Sequence, residues 1–130
     1  MKSSRYSLAV AAFATMALVV AGTPATAAND DDVIVEGNCS KRADYKLKAS
    51  PEDGRLEIEG EVDSNRVGQT WRWKLWHNGS LTGKGTRRTK GDSGSFEVER
   101  VIVDMAGTDW STFKARNIRS GEICRGVVGY

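Results

Sequence analysis

The sequence predicts an all-β fold, a seven-stranded antiparallel sandwich. Three observations support this prediction. Apolar and polar residues alternate in short runs, which is the period of a strand with one buried face. Glycine, asparagine, aspartate and proline cluster between these runs at regular spacing, as they do in turns. No segment keeps an amphipathic helical period over ten residues.

Residues 1–27 predict a secretory signal peptide. Lys2 and Arg5 form a positive start, the run from Leu8 to about Ala21 is apolar, and Ala25-Thr26-Ala27 fits the small-x-small cleavage rule. The apolar run is shorter than a membrane-spanning helix needs, and nothing later in the chain is apolar enough to span. We therefore expect a secreted, extracellular protein with no membrane span after signal cleavage.

The rest of the chain predicts a short acidic disordered tail at residues 28–38 and one β-sandwich domain at residues 39–130. The tail begins with Asn29-Asp30-Asp31-Asp32, which lacks the spacing and the glycine of an EF-hand loop, so we predict no metal site. The chain has 19 basic and 17 acidic residues, and loss of Lys2 and Arg5 leaves the mature protein close to neutral. Near-neutrality argues against general nucleic-acid binding, which needs a clearly basic domain.

Cys39 and Cys124 are the only cysteines, and in an exported chain they predict a disulfide. The two positions are 85 residues apart, so the cross-link would stabilise the fold by about 4–5 kcal/mol in the chain-entropy model. The alternative is a reactive thiol pair. It lacks a Cys-x-x-Cys motif and a neighbouring base that would lower a thiol pKa.

Seven segments carry the alternating pattern, each bounded by turn residues. In chain order they are Asp44–Ala49, Arg55–Asp63, the two arms of a hairpin within Gln69–Thr89, Ser95–Arg100, Thr112–Asn117 and Glu122–Val128.

The first two segments are joined by the turn Ser50-Pro51-Glu52-Asp53-Gly54. The first alternates apolar residues with lysines, and the second alternates them with glutamates. Among the last three, Ser95–Arg100 alternates apolar residues with glutamates, and Thr112–Asn117 alternates them with Lys114 and Arg116. The facing of Glu122–Val128 is ambiguous.

The central hairpin allows two registers. A two-residue Asn78-Gly79 turn would place Trp73 opposite Lys84. A three-residue loop, with Gly79 as a left-handed bulge, would place Trp73 opposite Gly83, where the missing side chain leaves room for the indole. The second register separates apolar from polar side chains better, so we predict the three-residue loop.

Three stretches carry a resemblance to a known group: Lys46–Arg55 (KLKASPEDGR), Val62–Gln69 (VDSNRVGQ) and Ser93–Val98 (SGSFEV). Together with the Thr112–Cys124 hairpin, which resembles the last hairpin of immunoglobulin-like and fibronectin-type domains, they make the mature chain similar to small exported immunoglobulin-like proteins of filamentous actinobacteria. That group has no assigned activity, so the resemblance implies an immunoglobulin-like sandwich and export. In true immunoglobulin domains the two cysteines flank a core tryptophan, whereas Cys39 precedes the first predicted strand.

An immunoglobulin-like order puts predicted strands one, two and five in one sheet and three, six and seven in the other. The outer face of the first sheet is then mostly acidic, and that of the second is basic. We predict a non-enzymatic binding module whose partner is an anionic cell-wall polymer or an extracellular protein. A solvated, aggregation-resistant edge strand is the simpler explanation of the basic run around Lys84–Lys90. The predicted binding residues are Arg72, Lys74, Trp76, Lys84, Arg87, Arg88, Lys114 and Arg116.

Two other functions remain as alternatives. A carbohydrate-binding module would need Trp76 or Trp110 flat and exposed, because we expect Trp71 and Trp73 to lie in the core. A small secreted enzyme would need His77, the only histidine, to meet a carboxylate and a nucleophile in a pocket. No catalytic motif supports the enzyme, and no cofactor is predicted.

Overall fold

The computed structural model describes residues 29–130, which form eight antiparallel strands and no helix. The predicted signal peptide lies outside the described residues. The strands are β1 (Val33–Asn38), β2 (Asp44–Glu52), β3 (Arg55–Asp63), β4 (Thr70–His77), β5 (Ser80–Arg88), β6 (Ser95–Val103), β7 (Trp110–Asn117) and β8 (Ile123–Gly129).

The strands form two four-stranded sheets. The first sheet has the order β1-β2-β3-β6 and the second has the order β5-β4-β7-β8. The all-β sandwich is therefore confirmed, and so is the division of six predicted strands between two sheets; the fourth predicted strand, which the prediction had left unassigned, joins the second sheet as β5. Within the described residues no helix is long and apolar enough to cross a membrane.

The predicted strand number was wrong by one, because β1 lies inside the segment assigned to the acidic tail. β1 pairs along its whole length with β2, from Val33 opposite Ala49 to Asn38 opposite Asp44. It is an edge strand, and Ile34 remains 41% exposed. Its order comes from backbone hydrogen bonds to β2 more than from burial, so its own sequence carries little of the alternating signal.

The core lies between the two sheets and contains the largest apolar side chains of both. Trp71 and Trp73 are 0% and 2% exposed, which confirms their predicted core position. Phe113 of β7 is fully buried beside them, and Arg100 of β6 lies over the ring of Trp73 at 5.2 Å from its centroid. Burying two indoles and a phenyl ring supplies a large share of the hydrophobic stabilisation of a domain this small.

The β4–β5 hairpin uses a register that differs from the predicted three-residue loop. Asn78 and Gly79 form a two-residue turn, both with positive φ, so that His77 pairs with Ser80. A β-bulge then follows, and it shifts the register by one residue. Trp73 consequently pairs with Gly85, although Gly83 and Gly85 both lie against its indole as the packing argument requires.

The disulfide between Cys39 and Cys124 is present, as predicted. Cys39 follows β1 and Cys124 lies within β8, so the bond links the first sheet to the second. Backbone hydrogen bonds surround it, including Ser40 N–H to the Ile123 carbonyl at 2.8 Å. The bridge therefore fixes the connection between the sheets at one end of the sandwich.

Candidate anion-binding face

The second sheet contains no acidic residue in any of its four strands. Every charged side chain of β4, β5, β7 and β8 is a lysine or an arginine. Among residues 29–130, none of these cations forms an ion pair with a carboxylate. The basic outer surface of this sheet, which we call the basic face, is thus uncompensated.

A row of four cations crosses the basic face. The strand registers place Lys84 opposite Lys74, Lys74 opposite Lys114, and Lys114 opposite Arg125. Adjacent strands are about 4.8 Å apart, so the row spans about 14 Å. Like charges directly opposite each other destabilise a sheet, so this row has an electrostatic cost in the absence of a counterion.

Two more cations lie in the next row. Arg72 of β4 pairs with Arg116 of β7, and each is two residues along its strand from the lysine of the first row. Arg88 of β5 pairs with Thr70, two residues further along β4. The two rows are about 7 Å apart, the rise of two residues along a strand. All of these side chains except that of Thr70 are exposed to solvent.

Seven of the eight predicted binding residues lie on this face, and Arg87 does not. Arg87 pairs with the buried Trp71, so its side chain projects from the inner side of β5, where the open edge leaves it exposed. Arg125 was not predicted to belong, because the facing of the last strand was ambiguous. Counting residues across the Asn117–Gly121 turn would have placed it opposite Lys114.

A cleft continues the basic face at one end of the sandwich. It has a volume of about 800 Å³ and lies between the segments Arg66–Thr70 and Asn117–Ser120. Three arginines line it, Arg66, Arg88 and Arg119, and no acidic residue does. Arg66 and Arg119 lie in loops, where strand alternation gives no information on facing, so the sequence pattern did not predict them.

Aromatic side chains occupy the other end of the basic face. Trp110 is 56% exposed, and its six-membered ring lies against the backbone of Gly129, where a Cβ would be 2.8 Å from the ring. Trp76 is half-buried and pairs with Thr112, two residues from Trp110 on the same strand. Residues in this diagonal relation are about 7–8 Å apart, within reach of aromatic side chains.

His77 contacts a carboxylate at the margin of the sheet. Its Nε2 is 2.5 Å from Oδ1 of Asp109, which also accepts from the Asn78 side-chain amide at 3.1 Å. Burial raises the pKa of Asp109, but the hydrogen bonds from His77 and from the Met105 backbone N–H outweigh it, and the pKa lies below its usual value. Asn78 Oδ1 in turn accepts a hydrogen bond from the backbone N–H of Trp110 at 2.8 Å.

This network connects the hairpin turn to the Asp104–Asp109 loop. A catalytic triad would also need a hydroxyl or thiol hydrogen-bonded to His77, and no such bond occurs within residues 29–130. Ser111, the strand neighbour of His77, is 1% exposed. The geometry accounts for the pair as a structural link, and the enzyme hypothesis gains no support from it.

The outer face of the first sheet carries the opposite charge. Its glutamates are only partly balanced by Lys46, 3.4 Å from Glu61, and Lys48, 3.2 Å from Glu59. The remaining glutamates of this acidic face are Glu36, Glu52, Glu57, Glu97 and Glu99.

Two glutamate pKa values report this crowding. A hydrogen bond with the carboxyl of Glu52, together with burial, raises the pKa of Glu57 to about 7. Burial and the charge of Glu59 raise the pKa of Glu97 to about 7.

Comparisons with protein-family models, with curated proteins and with solved structures find no match to this chain.

Proposed function

We propose that this protein is a non-enzymatic binding module that attaches to an anionic polymer outside the cell through the basic face. The row formed by Lys84, Lys74, Lys114 and Arg125 is the observation that carries the proposal. An anionic chain lying along this row would neutralise charges that no carboxylate of the sheet neutralises. The cost of the row in the free protein would thus be recovered on binding.

The chemistry of the face favours a polymer over a small ligand. The cations are distributed over more than 10 Å on an open surface, with rows about 7 Å apart, and such a surface suits repeated charges on an extended chain. The cleft lined by Arg66, Arg88 and Arg119 extends the same surface around the end of the sheet. Arginine can also bind phosphate or carboxylate groups with two parallel hydrogen bonds.

Export and the immunoglobulin or fibronectin type are part of the proposal. The signal-like residues 1–27 and the Cys39–Cys124 disulfide are compatible with an extracellular location. Without β1, the sheets have the orders β2-β3-β6 and β5-β4-β7-β8, which is the strand arrangement expected of a fibronectin-type sandwich. The likeness to exported immunoglobulin-like proteins of filamentous actinobacteria points to the same location and fold.

Carbohydrate binding is the second candidate. The exposure of Trp110, whose ring lies against Gly129 and whose backbone is diagonal to Trp76, favours it. Aromatic faces stack on sugar rings, and the adjacent row of cations would select a sugar polymer that carries phosphate or carboxylate groups.

The test is binding of the mature protein, residues 28–130, to long-chain polyphosphate over a series of NaCl concentrations. The face variant is Lys74→Ser with Lys114→Ser. The control variant is Arg42→Ser with Lys90→Ser, which removes the same charge from exposed positions outside the second sheet. Cell walls with and without teichoic acid, tested in parallel, distinguish a phosphate polymer from a neutral glycan.

We expect the wild type to bind with an affinity that falls steeply as salt rises, and the face variant to bind at least tenfold more weakly. Each lost phosphate contact should reduce the slope of log affinity against log salt by about one. Equal weakening by both variants would contradict the proposal. If retention on cell walls does not change with NaCl concentration and is lost in Trp110→Ala, the result would instead favour the carbohydrate candidate.

A further inference from the structure

Three carboxylates converge on the acidic face. Glu57 and Glu59 of β3 and Glu99 of β6 each offer an oxygen, and these three oxygens all lie within 4.8 Å of one another. Glu59 pairs directly with Glu99 across the two strands. Glu59 is only 9% exposed and Glu57 is half-buried, so these two carboxylates have less freedom to diverge than fully exposed side chains.

A buried hydroxyl adjoins this group of carboxylates. Ser50 is 9% exposed, and its Oγ is buried without a hydrogen-bond partner. Ser50 pairs with Glu57, so the two side chains project from the same face on adjacent strands. Buried polar atoms nearly always have a partner, and the unpartnered oxygen of Ser50, directly opposite Glu57, is free to act as a further oxygen ligand.

A second orphaned oxygen lies on the same side. Oδ1 of Asp32 is buried without a partner, and Asp32 precedes β1, whose Ile34 pairs with Lys48. The ammonium group of Lys48 is 3.2 Å from Oε2 of Glu59 and is the only cation that contacts the three glutamates within residues 29–130. One ammonium group does not balance three carboxylates.

We propose that a divalent cation, best matched by Ca²⁺, binds on the acidic face between Glu57, Glu59, Glu99 and the hydroxyl of Ser50. Ca²⁺ takes six to eight oxygen ligands at about 2.4 Å, so two oxygens on the same ion lie at most about 4.8 Å apart. The carboxylate spacing meets that limit. Side chains from three strands give a flexible, all-oxygen site with water in the remaining positions, which suits Ca²⁺ better than the stricter Mg²⁺.

A neighbouring group of carboxylates fits less well. Glu59, Glu61 and Glu97 satisfy the same spacing. However, Glu61 is already paired with Lys46 at 3.4 Å, and no orphaned oxygen is on a residue paired with this trio. The cation site is independent of the proposed polymer binding, because it lies on the opposite sheet.

The test uses Mn²⁺ as a paramagnetic probe and CaCl₂ titration of the ¹⁵N-labelled mature protein at pH 7.5. We expect Mn²⁺ to broaden the amide signals of Ser50, Glu57–Glu59 and Glu99 first and to leave the basic face unaffected. Excess CaCl₂ should reverse the broadening. We expect a dissociation constant for Ca²⁺ of about 10⁻⁴ to 10⁻³ M, as in other extracellular modules.

Three variants make the result specific. Glu99→Gln should weaken Ca²⁺ binding at least tenfold, and the control Glu36→Gln, on the same face in β1, should leave it within about twofold. Ser50→Ala removes an unpaired hydroxyl, so the calcium-free protein should be no less stable than the wild type, while its Ca²⁺ affinity falls several-fold.

Three results would overturn the proposal: broadening spread evenly over all glutamates of the face, equal effects of Glu99→Gln and Glu36→Gln, or unchanged Ca²⁺ affinity in Ser50→Ala. The first two would describe a diffuse atmosphere of counterions, and the third would remove the hydroxyl from the site.

Discussion

Gly60 shows how closely the two sheets approach. A Cβ at this position would be 2.7 Å from Cδ2 of Phe113, which is fully buried on the facing sheet. Sequence alternation placed Gly60 on the inner face but gave no reason for a glycine there. The reason is the phenyl ring, which occupies the space that a side chain would need.

We expect Gly60→Ala to lower the free energy of unfolding by about 1–3 kcal/mol, because the rigid ring has no room to retreat in a packed core. Urea denaturation of the mature protein measures the change. The same substitution in a Phe113→Leu background should cost clearly less, since leucine leaves space for the added methyl group. An equal cost in both backgrounds would show that the ring is not the cause.

Trp71 and Trp73 illustrate what single residues disclose. Their burial followed from alternation alone, since every second residue of a strand faces the core. Arg87 was assigned to the basic face for its charge, against that reasoning. It is adjacent to Arg88, so the two side chains lie on opposite sides of β5, and Arg87 pairs with the inward-facing Trp71.

The β4–β5 hairpin depends on one extra residue. Trp76 pairs with Leu81 and Leu75 pairs with Gly83, so Thr82 has no partner on β4 and forms the bulge. Its hydroxyl donates to the Leu75 carbonyl at 3.2 Å. The bulge lets a two-residue turn and a glycine-lined inner face coexist, whereas our prediction had assigned the extra residue to the turn.

Deletion of Thr82 should therefore be tolerated. The pairs on both sides of the bulge keep their partners, and we expect a loss of only about 0.5–1.5 kcal/mol from the missing hydrogen bond. Deletion of Lys84, two residues later, should cost more, about 1–3 kcal/mol, because it would bring Thr86 against the indole of Trp73. Thermal and urea unfolding compare the two. The opposite ranking would contradict the assignment of Thr82 as the bulge residue.

Strand β1 is the one strand of the described residues that the sequence pattern did not predict. Most of the other strands have an inner face that is apolar over several alternations, so they were predicted as strands, and an immunoglobulin-like order then assigned them to sheets. β1 is short, largely exposed and preceded by aspartates, so composition alone resembled a tail. Only the available edge of β2 makes it a strand, and edge availability is a property of the assembled sheet.

At the scale of the molecule, the acidic face should make stability depend on pH. Glu57 and Glu97 have folded-state pKa values of about 7, above the usual value near 4.5 in the unfolded chain. The folded protein therefore binds more protons than the unfolded chain between these limits, and stability should fall as pH rises from about 5 to 8. Both side chains remain partly in water, so we expect a loss of about 1–2 kcal/mol.

Asp109 acts in the opposite direction. Its folded-state pKa lies below the usual value, so its contribution to stability is present above about pH 4 and is lost as the pH falls further. The unfolding temperature should therefore be highest near pH 5. A Glu97→Gln variant should show a flatter decline toward pH 8, and a wild-type stability that rises between pH 5 and 8 would contradict this account.

The candidate site was partly predictable because charge follows the strand period. Arg72, Lys74, Lys84, Lys114 and Arg116 were placed on one face from alternation and strand order. The arginine cleft and the Glu57–Glu59–Glu99 group were not, because both depend on which loops and strands become neighbours in space. Arg125 lay between these cases, since its position needed only the register of one hairpin.

The separation of charge between the sheets makes the whole molecule an electric dipole. Packed sheets lie about 10 Å apart, with lysines and arginines outside one and most of the glutamates outside the other. Near a negatively charged surface, the electric field would rotate such a molecule before contact, so that the outer face of the second sheet would point toward the surface. An adsorbed layer then presents glutamates to the medium, so it preserves the negative sign of the surface that it covers.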